Sequence, residues 1–118
     1  MSPAPIDIQL IVEPAHLAAK QLSMLMVRCS VINNGVHPID SGIRQSQLLV
    51  NGEPSLAWSL AIGNGTGDEH EHSLPSGERV DFSRQMGRSL LRGPGSYTLV
   101  LRVLGVDSAP VTVQVSNE

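Results

Sequence analysis

Apolar and polar residues alternate with a period of two over most of the chain, and Gly, Pro, Asn and Ser interrupt the alternation. Successive side chains of a strand point to opposite faces, so the pattern predicts half-buried β-strands joined by turns. Ile6, Ile8, Leu10 and Val12 alternate with Asp7, Gln9 and Glu13 (Ile11 excepted) and predict a first strand, which Pro14 ends. Leu25, Val27, Cys29 and Val31 alternate with Met24, Met26, Arg28 and Ser30 and predict a second. Asn33-Asn34-Gly35 supplies residues that tolerate positive φ and marks a turn. A third strand is expected within Ile43 to Val50, ending at the hairpin pair Asn51-Gly52.

Leu56, Trp58, Leu60 and Ile62 alternate with Ala57, Ser59 and Ala61, which predicts a fourth strand. Gly63 to His72 reads as a polar loop, and Leu74-Pro75-Ser76-Gly77 turns the chain into a fifth strand around Val80 and Phe82. Tyr97, Leu99, Leu101 and Val103 predict a sixth strand, and Val111, Val113 and Val115 a seventh. Arg84, Arg88 and Arg92 recur every four residues, as do Met86 and Leu90. That spacing predicts at most one short helical crossover near 84–92, weakened by Gly87 and ended by Gly93-Pro94-Gly95. Parallel strands need crossover helices, and no segment is long enough to supply several. The expected fold class is all-β: a seven-stranded antiparallel sandwich or barrel forming one domain over 1–118, with its core at about 6–116.

Composition narrows the function classes. The chain has 118 residues, 41% of them apolar and 16% charged, enough for its own core. Trp58, Tyr97 and Phe82 are the only aromatic residues, so aliphatic side chains must fill the interior and a base-stacking platform is not expected. With a net charge of −3 and Lys20 the only lysine, a nucleic-acid partner is not expected either. The longest apolar-rich stretch, Tyr97 to Val106, is interrupted by Arg102 and Gly105 and is too short to span a bilayer, so no membrane partner is expected. Met1 to Pro5 shows no basic start followed by an apolar run, and Cys29 is the only cysteine. Both point to a cytoplasmic location without disulfides. Asn64-Gly65-Thr66 matches a glycosylation acceptor, a match that means little without a secretory route.

The stretch from Leu91 to Tyr97, with Gly93-Pro94-Gly95 between, resembles the tyrosine corner of immunoglobulin-like domains. The resemblance implies that the Tyr97 hydroxyl turns back to an upstream backbone group. It also aligns Cys29 and Leu99 with the two positions that a disulfide joins in antibody domains. The chain is thus similar to a disulfide-free member of that superfamily, with Cys29 a small buried hydrophobe. A reactive thiol would need a base or helix N-terminus beside it. Antibody domains carry their tryptophan on the third strand, whereas Trp58 falls on the fourth expected here. The Leu74 to Glu78 phrase, followed by the Pro-Gly-Ser-Tyr corner, also resembles bacterial immunoglobulin-like adhesion modules and sandwich-type intracellular proteinase inhibitors. That likeness covers about Ser73 to Val115 and speaks to fold more than to function.

Candidate chemistry is sparse. In Asp68-Glu69-His70-Glu71-His72, an extended backbone would turn His70 and His72 to one side, with Asp68 joining them as a metal-ligand set; otherwise the segment is a solvated loop. Gly63 to Gly67 lacks the lysine of a phosphate loop and is followed by Asp68 and Glu69, which repel phosphate. Arg84, Arg88 and Arg92 form a candidate partner-binding row or a solvated face. No serine lies in a Gly-X-Ser-X-Gly elbow, and no catalytic residue or cofactor is expected. The expected function is a non-catalytic protein-interaction module, as in a cytosolic enzyme inhibitor, acting as a monomer or weak dimer on a protein partner. The alternative is a metal- or small-ligand-binding domain built on the 68–72 loop.

Overall fold

A computed structural model describes residues 6–63 and 69–117, and the alternation of the sequence is realised there as two sheets. In chain order the strands are β1 (Ile6–Glu13), β2 (His16–Ala18), β3 (Met26–Asn33), β4 (Gln47–Val50), β5 (Glu53–Pro54), β6 (Arg79–Gln85), β7 (Gly95–Val103), β8 (Val106–Asp107) and β9 (Val111–Ser116). The helices are α1 (Leu56–Gly63), α2 (Glu69–His72) and α3 (Gly87–Leu90), with 3₁₀ turns at Ala19–Met24 and Ile43–Gln45.

One sheet has the order β1-β3-β6 and is antiparallel throughout. Its register sets Leu10 against Cys29 and Phe82, and Ile8 against Val31 and Val80. One apolar file therefore crosses all three strands, while Gln9, Ser30 and Asp81 occupy the opposite face. The other sheet runs β2-β9-β7-β4-β5, with β8 folded back on β7. The apolar residues of both sheets, among them Val27, Val31, Leu48, Leu99, Leu101 and Val113, belong to one buried cluster. This mainly-β arrangement is consistent with a β-sandwich. Each fully buried aliphatic side chain contributes about 1.5–3 kcal/mol of transfer free energy, which suits a core almost without aromatics.

Six of the seven expected strands are present, with bounds close to those expected. Four features differ. The segment expected as a fourth strand is the helix α1. Three helices and two 3₁₀ turns replace the single crossover expected near 84–92; there only Gly87–Leu90 is helical, because Arg84 and Gln85 still pair with β3. Three short strands, β2, β5 and β8, were not expected. Finally, β2 runs parallel to β9, so the fold is not purely antiparallel. Pro14 has no backbone N–H for a ladder, and after it the chain leaves the first sheet and joins the second.

The Asn51-Gly52 hairpin is realised as expected, with φ of 51° and 87° at the two turn residues. Two positive φ values in succession are the geometry that Asn-Gly accommodates best. The turn leads through β5 directly to Ser55, whose Oγ accepts the Trp58 N–H at 3.2 Å. This is a side-chain N-cap, and it starts α1 immediately after Pro54.

Candidate interaction surface

The helix α1, formed where the sequence predicts a fourth strand, holds the most informative surface of the molecule. Residues of an α-helix advance by about 100° each, so positions two apart lie about 200° apart and positions four apart nearly coincide. A period-two apolar pattern wound into a helix therefore yields two apolar stripes on opposite sides. On α1 the inner stripe is Trp58 and Ile62, exposed by 0% and 1%. The outer stripe is Leu56 and Leu60, exposed by 72% and 63%. A helix that is apolar all round is normally buried all round. Here one side is buried and the other is open.

The inner stripe fastens the helix. Trp58 Nε1–H donates to Ser46 Oγ at 3.0 Å, and Ser46 Oγ donates to the Ile43 carbonyl at 2.7 Å. The indole meets the Phe82 ring edge-on, with centroids 5.5 Å apart and planes at 83°. At the C-terminal end of α1, Arg44 donates to the Ile62 carbonyl at 3.0 Å and holds the Glu71 carboxylate in a two-pronged pair at 2.9 and 3.0 Å. One arginine thus ties α1, α2 and the 3₁₀ turn together.

The outer stripe borders a groove shared with α3. Two shallow depressions, of about 630 and 280 Å³, adjoin one another because Ala57 and Ser89 line both. Arg92 and Tyr97 stand in the larger, Arg84 and Met86 in the smaller. Gly87 sets the position of α3: a Cβ there would sit 2.0 Å from the Leu22 carbonyl oxygen and 2.7 Å from Leu25 Cβ. Only glycine allows so close an approach. The Met86 N–H also donates to the Leu25 carbonyl at 3.2 Å.

The three arginines singled out in the sequence fall on three different elements: the end of β6, α3, and the loop before β7. The groove nevertheless brings Arg84 and Arg92 onto one surface, while Arg88 is exposed on α3 beside Ser89. Arg44, Arg79 and Arg102 pair with Glu71, Asp81 and Asp107. Arg84, Arg88 and Arg92 have no carboxylate within 4.0 Å among the described residues. Glu53, on the rim of the larger depression, is also beyond that distance from Arg92.

The candidate metal ligands take separate partners. The segment is helical from Glu69, not extended, so His70 and His72 diverge. His70 Nε2 lies 3.1 Å from the Arg79 carbonyl, and His72 Nδ1 lies 3.2 Å from Asp40 Oδ2. Asp68 lies outside the described residues, as does Asn64-Gly65-Thr66. Among the described residues no group of three His, Cys, Asp or Glu side chains is placed to hold a metal. The Asp40 carboxyl is held below its usual range by the Gly42 N–H and then by His72.

Cys29 is buried. Burial, followed by the charge of Asp81, pushes its thiol up to about 12, although a hydrogen bond from the Phe82 backbone pulls the other way. Such a thiol is not an activated nucleophile. Ser30, a buried hydroxyl, donates to Asp81, which also accepts from Arg79 at 2.7 and 3.0 Å. Those hydrogen bonds, from Arg79 first and then Ser30, hold the Asp81 carboxyl below its usual range. It is therefore a poor base, and the cluster lacks the imidazole of a serine nucleophile.

The Tyr97 hydroxyl donates to the Gly93 carbonyl at 2.8 Å, with Leu91 buried. No helix among the described residues is long and apolar enough to cross a membrane. No protein-family model matches the chain, and no curated protein matches it.

Proposed function

We propose that this chain is a non-catalytic interaction module, built on an immunoglobulin-like sandwich, that engages a protein partner through the outer face of α1 and the groove beside it. One observation carries the reading: an eight-residue helix, N-capped and clamped in place, leaves two leucines four residues apart in solvent. Single exposed apolar residues such as Ile11 or Val36 are ordinary on any surface. Apolar anchors spaced four residues apart beside a groove are the pattern by which helical segments dock.

The division β1-β3-β6 against β2-β9-β7-β4-β5, the Tyr97–Gly93 bond and the buried Cys29 all support the immunoglobulin-like reading. The raised pKa of the buried Cys29 thiol and the weakly basic carboxylate beside Ser30 support a role without catalysis. An inhibitor of another enzyme is one form such a module could take.

Photo-crosslinking tests the reading. A photo-reactive amino acid in place of Leu60 should give an adduct with a defined partner segment, mapped by mass spectrometry. The same group in place of Ile32, on the opposite face of the first sheet, should not. Equal labelling from both positions, or none, would refute it.

A further inference from the structure

We infer that the segment docking on α1 is acidic and amphipathic, with apolar side chains that seat on Leu56 and Leu60 and carboxylates that reach Arg84 and Arg92. This rests on the proposed function and names the chemistry of the partner. The groove supplies both halves of the specification. Its wall is the Leu56–Leu60 ridge, and Ala57 and Ser89 link its two halves. Its two depressions each carry one guanidinium, Arg92 in the larger and Arg84 in the smaller, with Arg88 exposed on α3.

This grouping stands out against the charge pattern of the described residues. The protein as a whole is acidic, with a net charge of −3. Of its other four arginines three are matched by carboxylates, Arg44 with Glu71, Arg79 with Asp81 and Arg102 with Asp107, and Arg28, on β3 of the first sheet, has no carboxylate within 4.0 Å among the described residues. The three around α3 have no carboxylate within 4.0 Å among the described residues, and together they give this end of the molecule a local positive field. An unpaired guanidinium offers five N–H donors in a planar fork, and a carboxylate accepts two of them at once. A carboxylate at each end of an apolar anchor would therefore fix both the position and the register of a bound segment.

The size of the ridge separates this occupant from a membrane. Eight helical residues span about 12 Å, and only two leucines project from them. Stable membrane attachment takes a larger apolar face or a second anchor. A short peptide segment, by contrast, covers the ridge in about two helical turns.

The test uses the full chain and a fluorescent helical peptide with leucines four residues apart and glutamates at both ends. Anisotropy should report saturable binding that weakens as salt is raised. Replacing both arginines (Arg84→Gln with Arg92→Gln) should lower affinity by about tenfold, and Leu60→Asp should abolish binding. Arg28→Gln, an exposed arginine elsewhere, should change nothing. Four results would overturn the inference: no binding of the peptide; equal binding of polyglutamate with no effect of Leu60→Asp; stronger binding to vesicles of anionic phospholipid than to the peptide; or self-association of the chain that Leu60→Asp abolishes. Failure here with a crosslink still formed at position 60 would leave the interaction module standing and replace only its partner chemistry. Failure of both would remove the module as well.

Discussion

Ile62→Ala and Leu60→Ala make a discriminating pair, because the strand and helix readings of 56–62 predict opposite outcomes. In a strand with period two, both side chains would point into the core and both truncations would be costly. In the helix, Ile62 is 1% exposed and Leu60 63% exposed. Truncating a buried Ile to Ala costs about 2–5 kcal/mol, from lost transfer energy and the cavity left behind. Ile62 sits beside Trp58, which the Ser46 hydrogen bond and Phe82 hold in place, so the site cannot easily collapse and a cost of about 3 kcal/mol is expected. Leu60 buries only about a third of its surface, worth less than about 1 kcal/mol, and alanine is as good a helix former as leucine, so the net change should fall within about 0.5 kcal/mol. Urea unfolding of the two variants, followed by tryptophan fluorescence, gives the comparison through the midpoint shift at constant slope. Equal losses from the two variants would refute the helix and, with it, the exposed ridge.

Three further outcomes follow from the same contacts. Tyr97→Phe removes the hydroxyl bond to Gly93 and should cost about 1 kcal/mol in the same unfolding assay, whereas no change would mean the bond carries no stability. Gly87→Ala should destabilise by about 1–3 kcal/mol, since its methyl would meet the Leu22 carbonyl, and α3 would be displaced; unchanged stability and peptide binding would contradict that tight contact. Cys29 should resist thiol reagents in the native state. Because its folded pKa of about 12 lies above the ordinary 9.0, the folded state holds the proton longer. The thiol's contribution to stability should thus be full below about pH 9 and decline as pH rises toward 12, a trend absent in Cys29→Ala.

Most of the sheet framework is legible in the sequence because strand alternation there sets apolar residues against polar or charged ones, as in Ile6-Asp7-Ile8 or Val111-Thr112-Val113. The bond from the Tyr97 hydroxyl to an upstream backbone carbonyl is also legible, since Gly93 and Gly95 permit the positive φ values that turn the chain there. In the segment 56–62 the alternation is between large apolar residues and the small Ala57, Ser59 and Ala61, with no charged residue to mark a solvent face. Three local signals favoured a helix: Ser55 just before the run, two pairs of large residues four apart, and Ala at the intervening positions. Alternation of size is compatible with both periods, and only burial distinguishes them. The arginine row was found for a reason that did not hold. Its spacing suggested one helix, yet tertiary packing of β6, α3 and the loop before β7 gathers Arg84 and Arg92 at one groove. His70 and His72 do not converge because residues two apart on a helical turn lie about 200° apart around its axis. Asn33, read only as a turn former, is fully buried and donates to the His37 and Leu74 carbonyls. Nothing in its own neighbourhood indicates Leu74, 41 residues away.

A single substitution, Leu60→Asp, read out two ways, separates a docking ridge from a structural one. A charge placed on a solvent-facing helix position should leave unfolding within about 1 kcal/mol of the parent chain, while capture of the acidic amphipathic peptide disappears. A chain that loses its cooperative unfolding, or one that keeps both its stability and its peptide, would contradict an α1 whose outer leucines are held ready for a partner.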